Sequence, residues 1–407
     1  MGQLQRMSRQ EDRYRWYALG LTTLGQAAAT ILASGFGPIA PFLQSDFRVS
    51  RAELGLIATA SSLTAAPSAL FGGRAADRVG ERRVLILSGL VTALSALAIA
   101  HSLSFWSLLV SCLVLGLGNG IQNPAGSAAV MRWFPQRQRG MAMGIRQTGV
   151  PLGGILAASV APAIALAYGW RTAYVFGGVL SFIGALLVFL AYYDPPRKTE
   201  AGAPPPRSLR DLTYDKQIWW LGVIFNCQLF TQVSATTYFV LFLHEALDMP
   251  VVGAAAMLAV VNGVAMIARI GWGLVSDRHF QGRRRPVLLV IVLLTVCSAL
   301  GAAAMPRQTP LVFAVGLAVL FGASAFAWTG VLGTLVIEIA GRESAGSAIS
   351  LVQVLATPAS LLGPPLFGYL TDRSGSYRVA WLTLALVGSF SLFALRQVRE
   401  EADQPVG

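Results

Sequence analysis

Gly73-Arg-Ala-Ala-Asp77-Arg78-Val-Gly80-Glu-Arg82-Arg83 is answered 200 residues later by Gly273-Leu-Val-Ser-Asp277-Arg278-His-Phe-Gln-Gly282-Arg283-Arg284-Arg285. Each cluster follows one long apolar stretch and precedes another. Charge squeezed between hydrophobic spans, once in each half of a 407-residue chain, predicts a duplicated membrane protein.

The composition agrees. Hydrophobic residues make up 55% of the chain and charged residues 12%, where a soluble domain carries roughly a quarter charged. A membrane span needs about 20 mostly apolar residues. By that rule twelve spans fall near 16–43, 52–73, 83–101, 106–131, 140–166 and 171–193, then 217–243, 251–275, 286–304, 310–338, 345–370 and 378–396. They are numbered 1 to 12 below. The division is an N-terminal six-helix bundle over 1–193, a cytoplasmic linker over 194–216 and a C-terminal six-helix bundle over 217–407. The linker is polar and proline-rich, a composition that neither spans nor needs to fold. A shift of 206 lays Gly116 on Gly322, Gln122 on Trp328, Gly140 on Gly346 and Gln147 on Gln353. Parallel repeats follow from this.

A net charge of +12 raises nucleic acid as a partner, but the positives sit in short connectors. Of 31 Lys and Arg, 23 fall in the termini and the even-to-odd loops, which places both termini in the cytoplasm. Only Arg146 and Arg269 lie inside spans. Cys112, Cys227 and Cys297 have no pairing or metal spacing and read as small packing residues. His101, His244 and His279 are scattered at span ends, and no glycine run has the strand–turn–helix setting of a phosphate loop. The expectation is no enzyme, no cofactor and no metal site. No cleavable signal precedes the first span.

Twelve spans in two sixes, with Gly-x-x-x-Asp-Arg-x-Gly-x-Arg-Arg between spans 2 and 3, resemble the major facilitator superfamily. Gly149-Val-Pro151-Leu-Gly153-Gly154 and Gly169-Trp170-Arg171 support the resemblance. The second half is similar to the monocarboxylate and oxalate/formate transporter groups, in Arg269-Ile-Gly-Trp272-Gly273-Leu-Val-Ser-Asp277-Arg278 and in Gly363-Pro364-Pro365-Leu-Phe-Gly368-Tyr-Leu-Thr-Asp372. The chain departs from both groups. Ala265 stands where monocarboxylate transporters carry an Asp, and span 11 lacks the lysine of the oxalate/formate exchangers. The resemblance implies an all-α fold of twelve transmembrane helices, a secondary transporter working by alternating access, a bacterial inner-membrane location and a monomer in contact with lipid. It also implies that Gly73, Asp77, Arg78, Gly80, Arg82 and Arg83, with Gly273, Asp277 and Arg278, form a conformational latch. There a carboxylate meets the positive end of a helix. The plainer alternative is a topology signal and a structural turn.

An ionised side chain inside a span is costly and points to function. Arg269 lies two turns before Asp277, with Asn262 seven residues earlier on the same face. Its planar fork fits a carboxylate. Snorkelling to the surface or a structural pairing is the alternative. Arg146 lies near the cytoplasmic end of span 5, where snorkelling is easy. Asn119, Gln122 and Asn123 share one face of span 4. Gln26, Gln232, Tyr238, Trp328 and Gln353 lie on spans that line the pathway in relatives; for each of these residues interhelical packing is the alternative. No acid falls in the middle of a span, and Cys112 replaces the span-4 arginine of drug/proton antiporters. Two buried positives without a buried negative favour an anion. The expected cargo is a small organic anion, a monocarboxylate first, moved with protons or against another anion. An exporter of hydrophobic or drug-like compounds is the runner-up, and a non-transporting membrane sensor is a third reading.

Overall fold

A computed structural model describes residues 2–194, 209–306, 309–341 and 344–400. Most of the proline-rich linker, 195–208, lies outside the described residues. The twelve-helix architecture expected from the sequence is present. Among the described residues ten helical stretches are long and apolar enough to cross a membrane. Span 7, Lys216–Leu247, is also long, but Asn226, Gln228, Thr231, Gln232, Ser234, Thr236 and Thr237 dilute its apolar character. Span 10 completes the twelve as two shorter apolar helices, Leu311–Ala323 and Thr329–Ala340.

Four spans expected to be continuous are broken. Span 1 divides into Gly2–Ser34 and Phe36–Phe47, span 5 into Gln136–Gln147 and Gly149–Tyr168, and span 11 into Ala345–Leu355 and Thr357–Ser374. Pro38, Pro151 and Pro358 stand two or three residues past these breaks. A proline ring removes one helical hydrogen bond and clashes with the preceding turn. Pro124, Pro162, Pro364 and Pro365 sit inside helices that stay whole. The break in span 10 has no proline, and its cause is tertiary.

The chain forms two compact units, Met1–Phe42 with Ala60–Thr199, and Leu43–Thr59 with Glu200–Gly407. In the first, span 3 (Glu81–Ala100) packs on span 6 (Trp170–Ala191), and span 1 packs on spans 5 and 6. In the second, span 9 (Arg285–Ala304) packs on span 12 (Tyr377–Gln397), and span 7 on spans 11 and 12. The same pairings recur six spans later, as a duplication requires.

Leu43–Thr59, early in the sequence, groups with the second unit. Thr59 Oγ1 donates to Leu361 O at 2.7 Å, and Ala52 N donates to Asp372 Oδ2 at 2.9 Å. Arg51 pairs with Glu245 at 2.6 Å and with Asp372 at 3.1 Å, while Tyr377 donates its hydroxyl to Glu245 and Tyr238 donates to Arg51 O. Glycine allows the approach. A Cβ on Gly368 would stand 2.3 Å from Arg51 O and 2.5 Å from its carbonyl carbon, and backbone atoms cannot rotate away. Gly368→Ala should therefore cost about 1–3 kcal/mol of overpacking, read as a lowered melting temperature in detergent. Gly263→Ala, which meets nothing within 4 Å, should leave it unchanged or raise it.

Candidate functional site

Each unit holds one arginine within a span, Arg146 fully buried and Arg269 part-buried. In the first, Arg146 is completely buried at the end of the first half of span 5. Its Nη1 donates to Asn123 Oδ1 at 3.0 Å and Ser127 Oγ at 3.2 Å. Its Nη2 donates to Gln26 Oε1 at 2.9 Å, Asn123 O at 3.1 Å and Gln122 O at 3.4 Å. Each of these partners is neutral. Room for the guanidinium comes from Gly126, where a Cβ would fall 2.4 Å from Nη2 and 2.6 Å from Nε.

The polar face of span 4 divides its work. Asn123 serves Arg146. Gln122 accepts from Ser88 Oγ at 2.8 Å. Asn119 keeps both side-chain polar atoms buried with no hydrogen-bond partner among the described residues. A cavity of about 20 Å³ lies against Gln122, lined also by Ser88, Thr92 and Ser181. That volume suits a water-sized solute and excludes an organic anion.

In the second unit Arg269 lies on span 8, Val251–His279. Its Nε donates to Phe326 O at 3.1 Å, inside the break of span 10. Its terminal nitrogens have no hydrogen-bond partner among the described residues. One turn on, Trp272 Nε1 donates to Ala323 O at 2.6 Å. The segment between the two half-helices is wholly buried, from Ser324 to Trp328. Non-helical backbone at membrane depth survives where protein covers it and satisfies its polar groups. Ser324 assists by back-bonding to Leu320 O at 2.6 Å, a contact that competes with the helical ladder. Trp328 donates to Gln232 Oε1 at 3.1 Å and meets Phe225 edge to face.

The remaining predicted residues are placed apart from these guanidinium groups. Asn262 donates to Leu258 O of its own helix. Tyr238 stacks on Phe367 and serves the Arg51 network. Gln353 is exposed on span 11. A Cβ on Gly73 would make only ordinary contact with Pro124, and the side chain of Asp77 lies outside the described residues. Gly80 adopts φ +94°, and a Cβ there would meet Asp194 Oδ2. Arg82 N donates to Asp194 Oδ1 at 2.8 Å, while Arg78 and Arg83 are exposed. In the second copy, a Cβ on Gly273 would meet nothing within 4 Å, and Arg278 is exposed. Asp277 pairs with Arg284 of its own loop at 2.6 Å. Burial works to lower the Arg284 guanidinium, but the Asp277 bond and the Glu338 charge outweigh it and raise it.

Sequence reasoning missed several groups. Glu81 is fully buried and pairs with Arg132 at 2.7 Å; its place inside the first charged cluster was the available signal. Arg51, Glu245 and Asp372 sit at span ends and carried no mark of their convergence. Gly126 and Ser127 carried no mark in the sequence, and Trp272 stood only within the stretch similar to the monocarboxylate and oxalate/formate transporter groups. Asn226, which donates to Leu355 O at the break of span 11, is legible as a polar group in a span but not as a cap. Among the described residues no group of three or more His, Cys, Asp or Glu could hold a metal.

Two units with matching helix pairings, each keeping a guanidinium in its interior, define a duplicated polytopic membrane protein. The Major Facilitator Superfamily profile matches residues 22–364, and the chain belongs to that superfamily. It is 27% identical to the hexuronate transporter of Bacillus subtilis (strain 168), over 90% of this chain and 91% of that one. It is 27% identical to monocarboxylate transporter 13 of Rattus norvegicus, over 79% and 73%. The crystal structure of a bacterial homologue of the human lysosomal transporter Spinster matches with a TM-score of 0.78 at 18% identity, covering 94% of this chain and 96% of that one. At that identity the likeness speaks for the fold.

Proposed function

We propose that this protein is a secondary transporter of small organic anions in a bacterial inner membrane, and that Arg269 receives the carboxylate of the solute. The observation that carries the proposal is the state of Arg269. It is charged and set within a span, and among the described residues it has one protein hydrogen bond and no carboxylate partner. A guanidinium so placed is an electrostatic demand for an anion. Its planar end matches a carboxylate bidentately. Arg146, held by neutral groups alone, adds a second positive centre in the other unit. The names of the hexuronate and monocarboxylate relatives support a carboxylate-bearing solute. Within that class a monocarboxylate, taken with protons or against another anion, is the finer reading, with both termini cytoplasmic.

The purified protein, melted in the presence of D-glucuronate, L-lactate, succinate and a lipophilic cation, tests the proposal. A ligand that prefers the folded state raises the melting temperature. Stabilisation by one or more carboxylates, with saturable uptake of the same compound into proteoliposomes, is expected. Stabilisation by the cation alone would mean a drug-type exporter. Carboxylate binding without any uptake would mean a sensor.

A further inference from the structure

We propose that Trp272 is a positioning residue for the anion site, acting through the break of span 10. Arg269 and Trp272 lie three residues apart and so on adjoining positions of one helix face. Both donate sideways into the same discontinuity, Trp272 to Ala323 O at 2.6 Å and Arg269 Nε to Phe326 O at 3.1 Å. Ala323 is the last residue of the first half-helix. Phe326 lies in the turn that follows. Two carbonyls outside the regular ladder are thus held by two side chains of the neighbouring span.

The two bonds do different things. The Trp272 bond engages no charge, and its donor has no second task. It anchors the end of the first half-helix, and with it the start of the turn. The Arg269 bond uses one donor of five and fixes the plane of the guanidinium, since Nε is conjugated with both terminal nitrogens. Phe326 O can set that plane only if the turn is itself held. Close approach of the two spans supports this. A Cβ on Gly322 would lie 2.5 Å from Val261 O and 2.8 Å from Val264 Cβ. Trp272 also packs against the buried cluster that contains Trp328, Val331 and Leu332. Loss of the indole N–H frees Ala323 O, lets the turn move, and leaves Arg269 charged but without a fixed direction.

The proposal rests on Arg269 receiving the carboxylate, and the experiment separates the two claims. Dissociation constants for D-glucuronate and L-lactate are measured on the full-length protein for the parent, Trp272→Phe, Arg269→Gln and the double variant. Trp272→Phe keeps an aromatic ring and removes the donor. Its dissociation constant should rise about tenfold, the upper range for one neutral hydrogen bond, and the change should disappear in the Arg269→Gln background. Non-additivity of that kind marks action through a shared partner, which a merely structural tryptophan would not produce. Arg269→Gln losing affinity while Trp272→Phe keeps it, or while the two losses add, overturns the positioning role and leaves the anion site standing. Full affinity in Arg269→Gln, or binding of neither probe by the parent, overturns both. Should Trp272→Phe not fold, Ser324→Ala loosens the same turn from span 10 and is held to the same outcomes.

Discussion

Arg269→Lys should cut uptake of the carboxylate solute about a hundredfold or more in kcat/KM, with the melting temperature within a few degrees of the parent. The substitution keeps a positive charge in the same span, so electrostatic attraction survives. What it removes is geometry. The guanidinium donates through Nε to Phe326 O while its far end remains a flat pair of donors. One ammonium cannot stay with a backbone carbonyl and grip both oxygens of a carboxylate at once. Truncating one partner of a buried charged hydrogen bond costs about 2–5 kcal/mol, and about 1.4 kcal/mol is a factor of ten. Uptake by Arg269→Lys at the parental rate would show that a point charge suffices, and the fork would drop out of the account.

Arg146→Met should separate stability from activity. Five neutral oxygens hold this side chain, and no carboxylate is among them. A buried charge without a counter-ion is a liability, and apolar replacement of buried charges is often neutral or stabilising by about 1–4 kcal/mol. Against that stand the orphaned acceptors Gln26 Oε1 and Asn123 Oδ1, at about 1–3 kcal/mol for each group left unsatisfied, while Ser127 Oγ keeps its bond to Asn123 O. These opposing effects are of similar size. The expected result is a folded protein with a melting temperature within several degrees of the parent and transport lowered at least about tenfold, since the first unit loses its positive centre. A collapse of folding would show instead that the Arg146 cluster is a structural core. Parental transport would show that the charge is idle.

The site was half legible before the structure. Arg146 and Arg269 stood out because an arginine is costly in a span. Asn119, Gln122 and Asn123 stood out because they share a face of span 4. Sequence spacing did not show how these groups are used. Asn123 turned out to be a partner of Arg146, while Gln122 went to Ser88. Arg146 was read as able to snorkel, yet it is completely buried, since Gly126 opens a space beside it that no periodicity reveals. Tyr238 stood on a promising span and was taken by Arg51 O, because Gly368 lets that backbone come close.

Twelve spans, a duplication and two intramembrane arginines were legible in the residues alone. These follow from local quantities: twenty apolar residues match the bilayer, and a charge in that run is costly wherever it points. Three of the four breaks were also local, since proline disrupts a helix from within. The break at Ser324–Trp328, the seat of Leu43–Thr59 on the second unit and the task of each polar side chain were decided by tertiary structure alone. Each depends on a partner far along the chain, Trp272 and Arg269 for the first, Glu245 and Asp372 for the second. A backbone carbonyl in a membrane interior leaves its helix only where such a donor is waiting for it.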